Sequence, residues 1–532
     1  MVWMSGIRLY STILVAFLLC GTVLYSEALE GFFLSDDFVI LDAISRRGPF
    51  GIWTHSDSDF FRPAMSFFFF VGYKVWHLNA AGFHLANILV HSLNSFLVFL
   101  LAQALIPPPA PDRKRLMLAM VSGFAFLIMP SHSEPVSWIA ARTDVIAAFL
   151  SLGSLYAYLA YRHHGKRSNM LISISLFVCA LLSKESSIGL PFILAFYEAY
   201  SYFSAHRTLA RLRRGLALSI PYFGSMALYF LLRYLFLGTA VGGYGRGVHL
   251  TFHPFRLLIN LASFPTRTLI PPMPTRIAAV GTFTAVALCV IATLYILAAR
   301  RRQPIPRILY FLVGSYLLAL LPVINLSISK VDTEGERYVY LPSVFAVILV
   351  VLLLDFMLRN RKALSVVLLC LFVAFGVQLH KSNSNWAAAS DAARGIIESA
   401  GTLGSGDRLF VLNLPDKIRG AYVFRNGFRE ALSLFGYRAA YNEVIPVGRT
   451  VVRGEDDTVL ISETGAFLSV RRKDRSGYLV FPRLSADGMY STEDYEIVAA
   501  TAMSYNIRIK DISEEDRIAV YSSGMLKAYD SR

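Results

Sequence analysis

Charge is what this 532-residue chain has little of: Asp, Glu, Lys and Arg make up 16% of it, against a hydrophobic share of 55%. Soluble domains carry roughly a quarter charged residues, so a water-soluble globular protein is excluded for most of the length. Cysteine is also scarce. Cys20, Cys179, Cys289 and Cys370 all fall inside apolar runs, which excludes a disulfide framework and leaves the compartment open. There is no lipobox-like or prenylation signal, no internal repeat and no low-complexity tract. Pro107-Pro108-Pro109 reads as a short stiff loop.

What the chain does have is a succession of apolar runs and a mean hydropathy of +0.51, the marks of a polytopic α-helical membrane protein. The net charge of +15 does not point to nucleic acid, because the basic residues fall in short groups between apolar runs. Those groups are Arg113-Lys114-Arg115, Arg162 to Arg167, Arg207 to Arg214, Arg300-Arg301-Arg302 with Arg307, and Arg359 to Lys362. Each reads as a cytoplasmic loop. The spacing then predicts about 11 transmembrane helices, at 8–28, 80–105, 116–130, 143–161, 169–183, 188–206, 215–237, 278–299, 308–326, 338–358 and 364–380. The N-terminus lies inside and the C-terminus outside. A cleaved signal peptide over the first run is the alternative for that segment. Counting Ala64 to Leu78 as a span would invert every later loop, so it reads as an interfacial helix with its aromatic cluster Phe67 to Phe70 at the membrane surface.

Beyond residue 380 the pattern changes to short apolar or alternating runs bounded by Gly, Pro, Asn or Asp. Strands are expected at 408–415, 421–424, 458–462, 466–470, 478–481, 507–510 and 517–521, and helices at 384–400 and 426–436. The expected organisation is a transmembrane domain over 1–380, whose first outer loop 29–79 carries interfacial helices, and a small extracytoplasmic α/β domain over 381–532.

Ionisable residues at the outer ends of spans carry the chemistry. Asp36 and Asp37 follow the first span; a carboxylate there can act as general base on a substrate delivered from the bilayer, or can cap a helix beginning near Phe38. His84, Asn87 and His91 share one helical face, as an interhelical hydrogen-bond seam or as substrate contacts. His132 and Glu134 stand two apart in an outer loop; in an extended loop they share a side and can hold a hydroxyl, a proton or a divalent cation, although two ligands make a weak metal site. Arg142 and Asp144 can bind substrate or pair with each other. Lys184, Arg267 and Arg337 are donors suited to a lipid phosphate, with snorkelling to headgroups as the alternative. The glycine loop Gly242 to Gly247 lacks a P-loop lysine and reads as an outer loop.

These residues, in their order along the chain, resemble a family. Asp36-Asp37, Arg62-Pro63, Gly82-Phe83-His84-Leu85-Ala86-Asn87 with His91, Pro130-x-His132-x-Glu134-Pro135-Val136 with Arg142-Thr143-Asp144, Lys184-Glu185 and Glu336-Arg337-Tyr338 look like the membrane half of the tetratricopeptide-containing transmembrane O-mannosyltransferases. Those belong with the protein O-mannosyltransferases to the C-type glycosyltransferase superfamily. The resemblance covers about residues 1–360, and the tail departs from it, since strands replace the 34-residue helical repeats. It implies a C-type fold and a polyprenyl-phosphate-linked sugar donor. It also implies transfer at the outer face with inversion, the acceptor being a glycan, a lipid or a protein.

On that reading Asp36 is the favoured base and Asp37 positions a loop group. Arg62, His84, His91, His132, Glu134, Arg142 and Asp144 shape the substrate site. Lys184, Arg267 and Arg337 stabilise the departing lipid phosphate. No metal or other cofactor is firmly implied. A bacterial inner membrane with a periplasmic tail is the expected location. A lipid-linked oligosaccharide polymerase or ligase, or a transporter, are the rival classes; the gathering of ionisable groups at one face weighs against transport.

Overall fold

The structure is a computed structural model, and the residues it describes are 2–49, 60–106, 111–204, 208–242, 254–273, 306–358, 360–437, 440–454, 457–481, 485 and 488–529. The span expected at 278–299 and most of the Gly242 to Gly247 loop lie outside the described residues. The chain divides into two compact units. One comprises Met1–Ser26, Arg47–His77 and Gly82–Ser382, and the other comprises Glu27–Arg46, Leu78–Ala81 and Asn383–Arg532. The linear division near residue 380 differs from this in one respect: Glu27–Arg46 and Leu78–Ala81 belong to the second unit.

The first unit is helical. Among the described residues, five helices can cross a membrane by length and composition: Ala80–Leu105, Ile139–His164, Leu209–Leu237, Glu336–Met357 and Arg361–Ala400. Asp112–Leu127 and Pro130–Ser137, bent by 54° at their junction, make a sixth if the pair is one broken span. Arg8–Leu24, Arg167–Ser183 and Arg307–Val323 are shorter apolar helices. Pro63–Trp76 forms a helix with proline in its first turn, where the missing N–H costs nothing. Small residues let the helices approach. A Cβ on Gly123 would come within 2.8 Å of the Ser95 carbonyl, and one on Gly189 within 2.8 Å of the Leu318 carbonyl.

The expectation of separate helices at 364–380 and 384–400 is corrected. Arg361–Ala400 is one continuous helix of 40 residues, because no Gly or Pro breaks the Lys381 to Asn385 stretch and its polar residues are tolerated in a helix.

In the second unit, among the described residues, thirteen strands form three sheets: β1 (Gly406–Val411), β2 (Leu414–Ile418), β3 (Ala421–Tyr422), β4 (Tyr441–Pro446), β5 (Arg449–Val452), β6 (Val459–Thr464), β7 (Phe467–Arg472), β8 (Tyr478–Val480), β9 (Tyr490–Ser491), β10 (Tyr495–Val498), β11 (Ser504–Ile509), β12 (Arg517–Ser522) and β13 (Met525–Ala528). Their orders are β13-β12-β1-β4, β6-β7-β11-β10-β9 and β3-β2-β5-β8. β1 runs parallel to both β12 and β4, and β2 parallel to β5, whereas the five-stranded sheet is antiparallel throughout. The expected helix at 426–436 appears as Phe428–Leu434. Phe410, Leu412, Ile445, Val470, Ile497, Tyr505, Ile507 and Ile518 share one buried core.

Candidate functional site

The acidic pair opens the helix Asp36–Arg47, which begins near Phe38 as expected. Ser35, at φ 49°, turns the chain immediately before it. Asp37 is buried at 1% exposure and its Oδ2 accepts the Leu34 N–H at 2.8 Å, satisfying a donor at the helix start in the manner of a capping box. Asp36 stays partly exposed, and its Oδ1 accepts from Asn426 Nδ2 at 2.8 Å.

The seat for this turn comes from 423–427. The Ser35 N–H donates to the Val423 carbonyl at 2.8 Å, the Asn426 N–H reaches Ser35 Oγ at 3.3 Å, and Phe38 stacks on Phe424 with centroids 5.5 Å apart. Gly427 is required there twice over. Its φ is +85°, and a Cβ would lie 2.5 Å from the Ser35 carbonyl oxygen. Asn426 was not marked by the sequence, since an exposed asparagine carries no signal until the chain brings it to a carboxylate.

In the helical unit the singled-out cations face carboxylates. Lys184 Nζ lies 2.5 Å from Asp144 Oδ2, both side chains being about 5% exposed or less. Arg267 donates through Nη2 to Glu336 Oε1 at 2.6 Å, through Nε to the Ser329 carbonyl at 2.8 Å and through Nη1 to the Ile270 carbonyl, so all its nitrogens are engaged. Glu134 accepts the Arg337 backbone N–H on Oε2 at 2.8 Å and Arg337 Nη1 on Oε1. The Arg337 guanidinium also lies over the Trp138 ring at 5.3 Å. Buried charges survive only when paired in this way.

Arg142 and Asp144 do not pair with each other. Arg142 donates to Asn87 Oδ1 and to the Phe83 carbonyl, each at 2.7 Å, because its position at the start of Arg142–His164 faces the helix that carries His84. His84, Asn87 and His91 are all buried. His91 Nδ1 lies 2.7 Å from the Tyr340 hydroxyl, and Nε2 donates to the Leu127 carbonyl at 3.1 Å. Asn94 adds a 3.0 Å hydrogen bond to the same hydroxyl. The stripe on this helix is therefore filled by interhelical hydrogen bonds at Asn87 and His91.

The extended loop expected at His132 and Glu134 is corrected. Pro130–His132 is a 3-10 turn followed directly by the helix Ser133–Ser137, since Pro130 pre-sets a helical φ and Ser133-Glu134 favour a helix start. The premise that the two side chains share a side fails with it. His132 Nδ1 donates to the Phe126 carbonyl at 2.8 Å and Nε2 lies 2.9 Å from Ser343 Oγ, while Glu134 turns to Arg337. Among the described residues no group of three His, Cys, Asp or Glu side chains could hold a metal ion.

Arg62 belongs to a cluster whose second arginine the sequence reading missed. Arg62 Nη2 and Arg233 Nη1 lie 2.7 and 3.3 Å from the Glu185 carboxylate. Burial pushes the Glu185 carboxyl up, but the two guanidiniums outweigh it and hold it below the usual carboxylate range. Arg233, with its side chain 2% exposed, sits in Ile220–Leu237 among Phe, Tyr and Leu residues. A lone arginine within an apolar run was the signal available.

Protein O-mannosyl-transferase Tmtc1 of Drosophila melanogaster is 31% identical to this chain over 130 residues, 24% of the chain and 14% of that protein. Protein O-mannosyl-transferase tmtc2 of Xenopus laevis is 29% identical over 157 residues, 28% and 18% of the two, and TMTC1 of Homo sapiens 25% identical over 202 residues, 33% and 22%. The chain thus spans less than a quarter of the length of these relatives. Among solved structures, ArnT from Cupriavidus metallidurans in the apo state is similar with a TM-score of 0.44 and 15% identity, covering 82% of this chain and 92% of that one. The same protein bound to undecaprenyl phosphate gives 0.42 and 14%, covering 85% and 96%. No family model matches. Over the matched stretches the chain is homologous to protein O-mannosyl-transferases.

Proposed function

We propose that the chain is an integral-membrane glycosyltransferase. It moves a sugar from a polyprenyl-phosphate-linked donor to an acceptor hydroxyl at the outer membrane face, with inversion. The acceptor O–H gives its proton to the Asp36 carboxylate while its oxygen forms a bond to the anomeric carbon. The bond from that carbon to the phosphate oxygen breaks, and the lipid phosphate leaves with the electron pair. One observation carries the choice of base: of the two aspartates, Asp37 is buried and caps the turn at Leu34, whereas Asp36 is partly exposed and oriented by Asn426.

Stabilisation of the departing phosphate falls to Arg337 and Lys184. Arg337 keeps 14% of its side chain accessible, and among the described residues Lys184 has one carboxylate partner for three donors. Arg267, with every nitrogen engaged, instead holds Glu336 in place. Arg62, His84, His91, His132, Glu134, Arg142 and Asp144 shape the surrounding polar framework. The N-terminus is cytoplasmic, about eleven helices span a bacterial inner membrane, and the C-terminal unit is periplasmic.

Purified protein incubated with a panel of polyprenyl-phosphate sugars should consume one of them. Asp36→Asn keeps the shape and still accepts from Asn426, but cannot take a proton. Transfer should fall by about 10²- to 10⁴-fold, with thermal stability and donor binding unchanged. Activity of Asp36→Asn close to the parent would remove Asp36 as base.

A further inference from the structure

The end of β7 and the turn after it read Arg471-Arg472-Lys473-Asp474-Arg475, four cations in five residues that the transfer chemistry does not use. Strand alternation sends Arg472 inward. Its side chain is fully buried, Nη1 donates to Thr450 Oγ1 at 2.5 Å, and Gly477 leaves the space its guanidinium fills, since a Cβ there would lie 2.7 Å from Nη2. Asp474 serves the turn: it accepts the Ser476 N–H at 2.9 Å and lies 3.8 Å from Arg472 Nη2. Arg472 and Asp474 therefore build the turn, and Arg471, Lys473 and Arg475 are left exposed on it.

These residues line a cleft of about 600 Å³ with Leu460 and Met503, and no carboxylate lines it among the described residues. Arg471 stands across from Leu460 on β6 and Ser504 on β11, neither of which can neutralise it. Arg471 and Arg475 have no ion-pair partner among the described residues. A concave cationic space of this size suits a discrete ligand with several anionic groups better than the flat face of a bilayer, and its apolar wall suits the non-polar face of a sugar ring.

We infer that this cleft binds an anionic saccharide, with phosphate or carboxylate groups seated on Arg471, Lys473 and Arg475 and sugar faces against Leu460 and Met503. All three cations line one cleft, so the ligand is recognised by where its charges lie as well as by their number.

Full-length protein in neutral detergent is titrated with labelled polygalacturonate and, as a neutral polymer, with dextran of similar length. The parent should bind polygalacturonate, increasingly weakly as salt rises, and ignore dextran. Arg471→Gln/Lys473→Gln/Arg475→Gln should weaken binding about tenfold or more. Arg429→Gln/Arg508→Gln/Lys527→Gln, which removes the same charge from outside the cleft, should stay within about twofold of the parent. Arg475→Gln alone supplies the reading if the cleft triple does not fold, with an expected loss of about threefold. Equal loss in the two triples, no binding by the parent, or equal binding of dextran overturns the inference. Binding to phosphatidylcholine vesicles containing phosphatidylglycerol, without binding to polygalacturonate, overturns it and gives the cleft to the membrane. No donor or turnover enters the measurement, so its failure leaves the transfer reading standing.

Discussion

A buried guanidinium and the carboxylate it faces can be removed together far more cheaply than either can be removed alone. Arg267 and Glu336 are 3% and 0% exposed in their side chains, and Arg267 fills its remaining nitrogens with the Ser329 and Ile270 carbonyls. Arg267→Met should therefore cost about 3–5 kcal/mol by stranding Glu336, and Arg267→Met/Glu336→Met should recover most of it, read as thermal unfolding in detergent. A single variant as stable as the parent would sink the structural role given to Arg267. The sequence marked Arg267, Lys184 and Arg337 because ionisable groups beside apolar runs are conspicuous. It did not give their partners, which lie up to 203 residues away in the case of Arg337 and Glu134.

At the scale of elements, the clearest charge network outside the membrane helices joins β1 to the turn before β12. Arg408 donates to Asp516 through Nε at 3.1 Å and Nη2 at 2.8 Å, and the Ser513 N–H adds a 2.8 Å bond. Burial pushes the Asp516 carboxyl up, but these donors outweigh it and hold it below the usual carboxylate range. A depressed folded value means that the stabilisation is complete above about pH 4, the ordinary carboxylate value, and is lost as pH falls through the lower folded one. Hydrogen exchange of the β1 and β12 amides in the full chain should accelerate as pH drops below about 4, after correction for intrinsic exchange, and Asp516→Asn should flatten that dependence. An unchanged profile in the variant would remove Asp516 as the titrating group.

Element by element, legibility followed the strength of the local pattern. Ala80–Leu105 and Arg142–His164 stand where long apolar periodicity puts them, and β6, β7 and β12 where alternation does. β4, β5, β10 and β13 escaped because runs such as Tyr441 to Pro446 and Met525 to Ala528 mix polar and apolar residues without clean alternation.

For the whole molecule, the basic groups at Arg113 to Arg115, Arg162 to Arg167 and Arg207 to Arg214 predict which loops face inward and on which side the C-terminal unit lies. Ser462 is exposed on β6, so Ser462→Cys in a chain freed of its four native cysteines reports that face. A membrane-impermeant maleimide should label it without breach of the inner membrane. Labelling only after breach would overturn both the topology and the outer reaction face.

What the sequence determined by itself is whatever depends on composition and short-range order: the membrane half, the ionisable residues at the ends of its apolar runs and the strand-rich tail. Burial of apolar runs and the positive-inside bias act locally, so they can be read locally. Only the tertiary structure decided that Glu27–Arg46 joins the C-terminal unit, that Asn426 meets Asp36 from 390 positions away, and that Asp37 is consumed at Leu34 while Asp36 stays accessible. Two adjacent aspartates are alike in sequence. Burial and hydrogen bonding make them different, and both are properties of the folded chain around them.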